Sequence, residues 1–206
     1  MKKISVAVLV SGGGTNLQAL IDAEKSGIIE NGHISVVISS KPGVYALERA
    51  KKAGIPYFVA EKALFTDDEN AFADEISKYL RQYGAEVIVL AGFLSKLPEK
   101  ICSEYAGRIL NVHPALIPSF CGKGYYGIHV HEAALKYGVK VSGATVHLVD
   151  GEYDHGRILM QKAVDVMPDD TPESLQQRIM TQAEHIILPR AVEMICKETA
   201  ANKKTV

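Results

Sequence analysis

The opening of the chain restricts its fold most. Residues 4–10, Ile-Ser-Val-Ala-Val-Leu-Val, are almost wholly apolar and run straight into Ser11-Gly12-Gly13-Gly14, after which residues 16–25 read as an amphipathic helix. A short run that is apolar at both alternations is a strand covered on both faces. Leaving it through a tight glycine turn into a helix makes that helix a right-handed crossover to a parallel neighbour. The pattern then repeats. Strands are expected over 4–10, 33–39, 56–59, 86–91, 108–112, 141–149 and 158–164, and helices over 16–25, 44–53, 68–83 and 129–137. This alternation predicts an α/β fold, a mostly parallel twisted sheet with helices on both faces, Rossmann-like in its winding.

The pattern loosens after Asn111. Residues 114–127 hold two Pro, three Gly and two Tyr with little periodicity, which marks a long loop of the kind that is usually functional. Two closely spaced strands then flank a polar turn over 150–156. Thr171-Pro172-Glu173 starts a helix, with Thr171 as N-cap and Pro172 at the first helical position. That helix is expected to end near Leu188, before Pro189, with a short helical tail and a frayed polar end over 197–206. Without a linker or repeat, residues 1–206 are expected to form one domain. It divides into a half spanning about 1–107 and a half spanning about 108–190.

Charge and cysteine usage narrow the partners. Lys and Arg total 23 against 24 Asp and Glu, which gives no basic footprint for nucleic acid. No apolar run approaches the ~20 residues that cross a bilayer. Lys2-Lys3 ahead of the first strand lacks a cleavage site after the apolar stretch, so it is not read as a signal peptide. Cys102, Cys121 and Cys196 are odd in number and at no metal-ligand spacing, which suits a reducing cytoplasm and buried thiols. The expected partners are small molecules, with no nucleic acid and no membrane, for a monomer or weak homodimer.

Three segments carry chemistry. In Ser11-Gly12-Gly13-Gly14-Thr15-Asn16-Leu17, backbone N–H groups converge at a helix N-terminus, which favours a phosphate. The segment lacks the Gly-Lys-Ser/Thr of a nucleoside-triphosphate loop and the third glycine of a dinucleotide fingerprint, so a phosphate monoester fits better. Asn111 and His113 are two residues apart at the carboxyl end of a strand and point the same way, where open α/β sheets hold ligands. An amide donor beside an imidazole suits acyl or formyl transfer, in which an oxyanion develops and a proton must move. The acidic turn Asp150-Gly151-Glu152-Tyr153-Asp154-His155-Gly156 offers a carboxylate to His113, which would raise the imidazole's pKa and keep it protonated. The pattern leaves Asp150 and Asp154 as equal candidates. His129 and His131 open a helix about 200° apart, and without a His-Glu-x-x-His or paired Cys no metal is expected. Ser11 and Ser119 lack the context of a nucleophile, and Cys121 is a weak candidate for one.

Taken together, residues 10–19, Val89-Leu90-Ala91-Gly92-Phe93-Leu94, Asn111-Val112-His113-Pro114-Ala115-Leu116-Ile117-Pro118 and Gly143-Ala144-Thr145-Val146-His147 resemble the phosphoribosylglycinamide formyltransferase family, over residues 4 to about 190. The resemblance implies formyl transfer from 10-formyltetrahydrofolate, the co-substrate, to the amine of glycinamide ribonucleotide in purine synthesis, with no metal. It also implies Asp154 rather than Asp150 as the catalytic carboxylate. The implied catalytic set is Asn111 on the formyl oxygen, His113 on the oxyanion, Asp154 holding His113 protonated, and Thr145 positioning a water. The ribonucleotide would meet Gly14, Thr15, Asn16 and Glu184. The folate would meet Leu94, Ser95, Lys96, Leu97, Asn111, Asp150, Gly151, Glu152 and Tyr153. Where the family often has an Arg for the folate tail, this chain has the acidic Phe65-Thr66-Asp67-Asp68, so the tail is expected to meet Lys96 or Lys62 instead, or to bind weakly. The loop over 119–127 is longer than the family's short Pro-Gly passage. A formyl-folate hydrolase or a methionyl-tRNA formyltransferase shares the Asn, His and Asp. The hydrolase is expected to add an N-terminal regulatory domain, and the tRNA enzyme a C-terminal domain and a basic surface. A binding module with a degenerate site is the non-enzymatic alternative, against which the intact Asn111, His113 and Asp154 argue.

Overall fold

The computed structural model describes residues 2–65 and 68–203. Seven strands form one sheet in the order β3-β2-β1-β4-β5-β6-β7. They are β1 (Ile4–Val10), β2 (Gly32–Ser39), β3 (Tyr57–Val59), β4 (Val87–Leu90), β5 (Ile109–His113), β6 (Val141–Leu148) and β7 (Ile158–Asp165). Pairing is parallel from β3 through β5, and β6 and β7 join antiparallel. The chain winds outward from β1 in both directions, so a crevice opens at the carboxyl ends of β1 and β4, where the order reverses.

Alternation along β1 shows how the sheet is covered. Val6, Val8 and Val10 enter a core on one face with α1 (Thr15–Lys25) and α7 (His185–Asn202), while Ala7 and Leu9 enter a core on the other with α3 (Glu69–Gln82) and α4 (Glu99–Glu104). Val87 and Val89 of β4 face the first core, and Ile88 and Leu90 the second. The remaining helices are α2 (Tyr45–Lys52), α5 (Ile128–Tyr137) and α6 (Pro172–Ile179). Thr171 caps α6 as the sequence implies, accepting from the Ser174 N–H at 3.2 Å in a reciprocal capping box.

The C-terminal region differs from expectation. A π-helical turn, Met180–Glu184, links α6 to α7, and Pro189 lies inside α7 rather than beyond a helix end. The helix continues because Leu188, Ala191, Val192, Ile195 and Cys196 are buried against the sheet, and that burial outweighs the one hydrogen bond a proline removes. The polar stretch expected to fray is helical through Asn202, and Lys203 ion-pairs with Glu86.

Candidate active site

The glycine turn after β1 becomes the N-terminus of α1. Gly14 is the N-cap in a left-handed conformation, φ 73°. The carbonyls of Gly12, Gly13 and Gly14 accept from Ala46 N–H (3.2 Å), Arg49 Nε (2.9 Å) and Gln18 N–H (2.9 Å). The first amides of α1 are left to a ligand, as at any helix start. Ser11 ties this turn to the one after β4: its hydroxyl accepts from the Leu94 N–H at 2.9 Å and meets Ser40 Oγ at 2.6 Å. The two loops therefore flank the crevice as one unit.

A cavity of about 750 Å³ occupies that crevice. Thr15, Asn16 and Glu184 line one part of it, Leu94, Ser95, Lys96 and Leu97 another, and Asn111, His113 and Asp154 lie on its walls. Gly151, Glu152 and Tyr153 also reach it. Asp150 lines instead an adjoining cavity of about 410 Å³ and bonds His155 Nδ1 (2.8 Å) and the Glu152 N–H (3.2 Å), so it shapes the turn rather than facing the main cavity. Between the two aspartates the sequence left open, the structure brings Asp154 to His113.

His113, at the end of β5, is buried. Its Nε2–H donates to the Phe120 carbonyl at 2.8 Å, and its Nδ1 faces Asp154 Oδ2 at 3.5 Å. Burial pushes this imidazole below its ordinary value, although Asp154 and the Phe120 carbonyl pull it upward. This corrects the expectation that Asp154 keeps His113 protonated: desolvation outweighs one carboxylate at that distance. Burial pushes the Asp154 carboxyl up, but His147, His113 and the Gly122 N–H (2.9 Å) together hold it below the usual range. Asp154 and Phe120 both have positive φ, 54° and 49°, strained backbone held next to the reacting groups.

His147 on β6 is a participant the sequence reading missed. Its Nδ1 lies 2.8 Å from the Leu148 carbonyl, and its Nε2 lies 3.1 Å from Asn111 Nδ2 and 3.6 Å from Asp154 Oδ1. The second Asn111 hydrogen points at Asp154 Oδ1 across a long 3.4 Å and is free to be taken by a better acceptor. The available signal was the antiparallel register, which sets His147 opposite Asn111.

Thr145 stands apart. Its hydroxyl donates to the Ala115 carbonyl (2.7 Å) and accepts from the Ile117 N–H (3.1 Å) and Gln161 Nε2 (3.0 Å), which uses its hydrogen and both lone pairs. It does not line the cavity, so the expected water-holding role gives way to a structural one, fixing the start of the long loop. Among the expected ribonucleotide contacts, Asn16 Nδ2 donates to Glu184 Oε2 at 2.6 Å, and Asn16 Oδ1 is buried without a partner among the described residues. Burial pushes the Glu184 carboxyl up, and Asn16 opposes that only in part.

For the folate tail, Lys96 is at the cavity while Lys62 lies over the Phe72 ring, 5.8 Å from its centroid. Lys123, on the long loop, lines the cavity as well. Thr66 and Asp67 of the acidic segment fall outside the described residues. His129 is exposed and meets Glu132 at 3.0 Å, whereas His131 is buried, as their helical spacing requires.

The formyl transferase family pattern matches residues 4–192. The chain is 40% identical over 197 residues to the chloroplastic phosphoribosylglycinamide formyltransferase of Arabidopsis thaliana, covering 96% of this chain and 67% of that protein. It is 44% identical to the trifunctional purine biosynthetic protein adenosine-3 of Drosophila melanogaster, covering 95% of this chain and 14% of that much longer protein. In three dimensions it resembles glycinamide ribonucleotide transformylase 1 of Symbiobacterium toebii, with a TM-score of 0.88 at 38% identity, covering 95% of this chain and 89% of that one. Among the described residues, no helix is long and apolar enough to cross a membrane.

Proposed function

The chain belongs to the formyl transferase family and is a formyl-transferring enzyme, and we propose that it moves the formyl group of 10-formyltetrahydrofolate to the amine of phosphoribosylglycinamide, a cytoplasmic step of purine biosynthesis. The observation that carries this reading is the convergence of Asn111, His113 and Asp154 between a phosphate-ready helix start and the Gly92–Leu97 turn, in one cavity.

The phosphate sits at the N-terminus of α1 with Thr15, and the ribose hydroxyls meet Glu184, which Asn16 Nδ2 orients at 2.6 Å. The folate ring lies against Leu94–Leu97 and Gly151–Tyr153, and Lys96 with Lys123 offers positive charge to its glutamate tail. The acceptor amine attacks the formyl carbon directly. As the carbonyl electron pair moves onto oxygen, the Asn111 hydrogen that faces Asp154 turns to the oxyanion. A donor of this kind is worth about 10²–10³ in rate.

Because His113 begins neutral, its Nδ1 takes the proton that the attacking amine must shed. The resulting imidazolium is held by the ionised Asp154 on the Nδ1 side and by the Phe120 carbonyl on the Nε2 side. On collapse that proton goes to the departing folate nitrogen, and the ring returns to neutral. Asp154 thus matters through the charged ring that forms during the reaction, not through the resting state.

A spectrophotometric assay of formyl-folate consumption, run with and without phosphoribosylglycinamide, tests the reading. Turnover strictly dependent on the ribonucleotide supports it. Folate release without ribonucleotide indicates a hydrolase, and no turnover in either case indicates a binding module.

A further inference from the structure

Three consecutive glycines give the turn before α1 room for a ligand but no direction of its own. Glycine has the widest backbone freedom, so the N–H groups of this turn have a fixed aim only if something outside it holds them. One face of α2 does so. The Gly12 carbonyl accepts from the Ala46 N–H at 3.2 Å, and the Gly13 carbonyl from Arg49 Nε at 2.9 Å. Ala46 and Arg49 are three residues apart on the helix and share that face. In a planar trans peptide the N–H points opposite to the C=O. The N–H groups of Gly13 and Gly14 therefore both point away from α2, and neither has a partner among the described residues. Thr15, next in the chain, lines the main cavity.

The Ala46 tie is backbone, whereas the Arg49 tie is a side chain, and that side chain is itself braced. Its Nη1 donates to Gln18 Oε1 at 3.1 Å, and Gln18 Nε2 donates to Asp22 Oδ1 at 2.9 Å. The guanidinium lies 4.9 Å from the centroid of the Tyr45 ring. Arg49 thus joins α2 to α1 across the turn it orients. Both of its acceptors are uncharged, so the groups it bonds do not neutralise it. Burial first, and the Arg49 charge second, hold His185 below its ordinary value, so this guanidinium's field reaches the residue beside Glu184. A row of fixed N–H groups backed by a cation suits an anion. Arg49 is not among the residues lining the cavity, so it acts from behind the turn rather than by contact.

We propose that Arg49 is a positioning residue for the phosphate of the acceptor: it fixes the Gly13–Gly14 peptide from behind, so that the Gly14 N–H is aimed at the phosphate with a positive charge at its back. The proposal rests on the phosphate assignment given above and adds the side chain that gives a flexible turn its direction. Donors held in place before the ligand arrives bind it more tightly, because the cost of ordering three glycines is not met again at each binding event.

The test uses Arg49→Met in the full chain, which keeps an unbranched side chain but has neither donor nor charge. Gly13 is exposed, so water takes over its carbonyl, and the thermal midpoint is expected to stay within a few degrees. The KM for phosphoribosylglycinamide is expected to rise about tenfold, the scale of one charge-assisted hydrogen bond. The inhibition constant of ribose 5-phosphate is expected to rise by the same factor, while kcat at saturation and the formyl-folate KM stay unchanged. Glycinamide riboside, the same acceptor without its phosphate, is expected to react equally with parent and variant. In the parent protein, the amide ¹⁵N resonance of Gly14 is expected to move when ribose 5-phosphate is added. An unchanged ribose 5-phosphate inhibition constant in the variant overturns the proposal, and so does an equal loss with the riboside. A Gly14 resonance that stays in place while that of Thr15 moves overturns it without any variant. If ribose 5-phosphate does not inhibit the parent, or moves none of the Gly13, Gly14 and Thr15 amides, the phosphate assignment itself fails, and the role of Arg49 with it.

Discussion

His113 and Asp154 face each other across 3.5 Å inside the cavity, and the carboxylate does not keep the imidazole charged. The other ring nitrogen is held by the Phe120 carbonyl at 2.8 Å, so the ring is oriented from the long loop as well as from the acidic turn. Burial decides its charge, and the two neighbours decide its tautomer and direction.

The first prediction follows from that balance. In an NMR titration of the ligand-free protein, His113 is expected to take up its proton below the ordinary value of 6.5. Asp154→Asn removes the charge that favours the imidazolium, so the midpoint is expected to move lower still. The linked effect on stability has a definite sign. A histidine lowered on folding is protonated first in the unfolded chain, so its contribution is full above about 6.5 and declines as the pH falls from there. His131, lowered to about 4, acts in the same direction over 6.5 to 4. The thermal midpoint should therefore fall between pH 7 and pH 4. A His113 midpoint above 6.5 would contradict the assignment.

The second prediction concerns turnover. His113→Ala and Asp154→Asn are each expected to lower kcat by about 10²–10⁴-fold, the range for losing a group that moves a proton. The thermal midpoint should stay within a few degrees, since neither side chain belongs to the apolar cores. A variant that unfolds while its folded fraction keeps normal specific activity would show the role to be structural.

Much of this arrangement is legible in the sequence because local pattern determines it. Period-two alternation and continuous apolar runs located all seven strands, and the spacing of Asn111 and His113 on a strand end placed both in the cavity. What was not legible depends on long-range contact. Thr145 lies in a recognisable motif, but its hydroxyl is consumed by Ala115, Ile117 and Gln161, which only the fold brings near. His147 reaches Asn111 through antiparallel register, and the sign of the His113 shift depends on burial that no motif records. Pro189 misleads for the same reason: packing on α7 decided against a local breaker.

The third prediction addresses the ribonucleotide. Asn16→Ala removes the 2.6 Å hydrogen bond that orients Glu184 and opposes its desolvation, so the Glu184 carboxyl should be pushed further up and lose its fixed direction toward the ribose. Ribonucleotide KM is expected to rise about tenfold or more, as for one lost charge-assisted hydrogen bond. The formyl-folate KM should hold, and steady-state kinetics with each substrate varied in turn gives both values. Equal increases for the two substrates would argue against placing the ribose at this pair.

The last prediction separates two uses of glycine within one turn. Gly14 has φ 73°, and a Cβ built there would lie 2.7 Å from the Ala46 Cβ and 2.8 Å from its Cα, so Gly14→Ala meets both backbone strain and a clash with α2. Its cost is expected to be ~2 kcal/mol or more, read as a lower thermal midpoint. A Cβ at Gly13 meets nothing within 4 Å and its backbone is not left-handed, so Gly13→Ala should melt like the parent. If the phosphate binds at the start of α1 as proposed, a methyl group in that open space competes with it. Gly13→Ala is therefore expected to lose affinity for phosphoribosylglycinamide at unchanged stability, as measured by calorimetric titration beside a thermal melt. If Gly13→Ala instead binds the ribonucleotide normally, the phosphate does not approach the turn from that side, and its contacts shift toward Thr15 and Asn16.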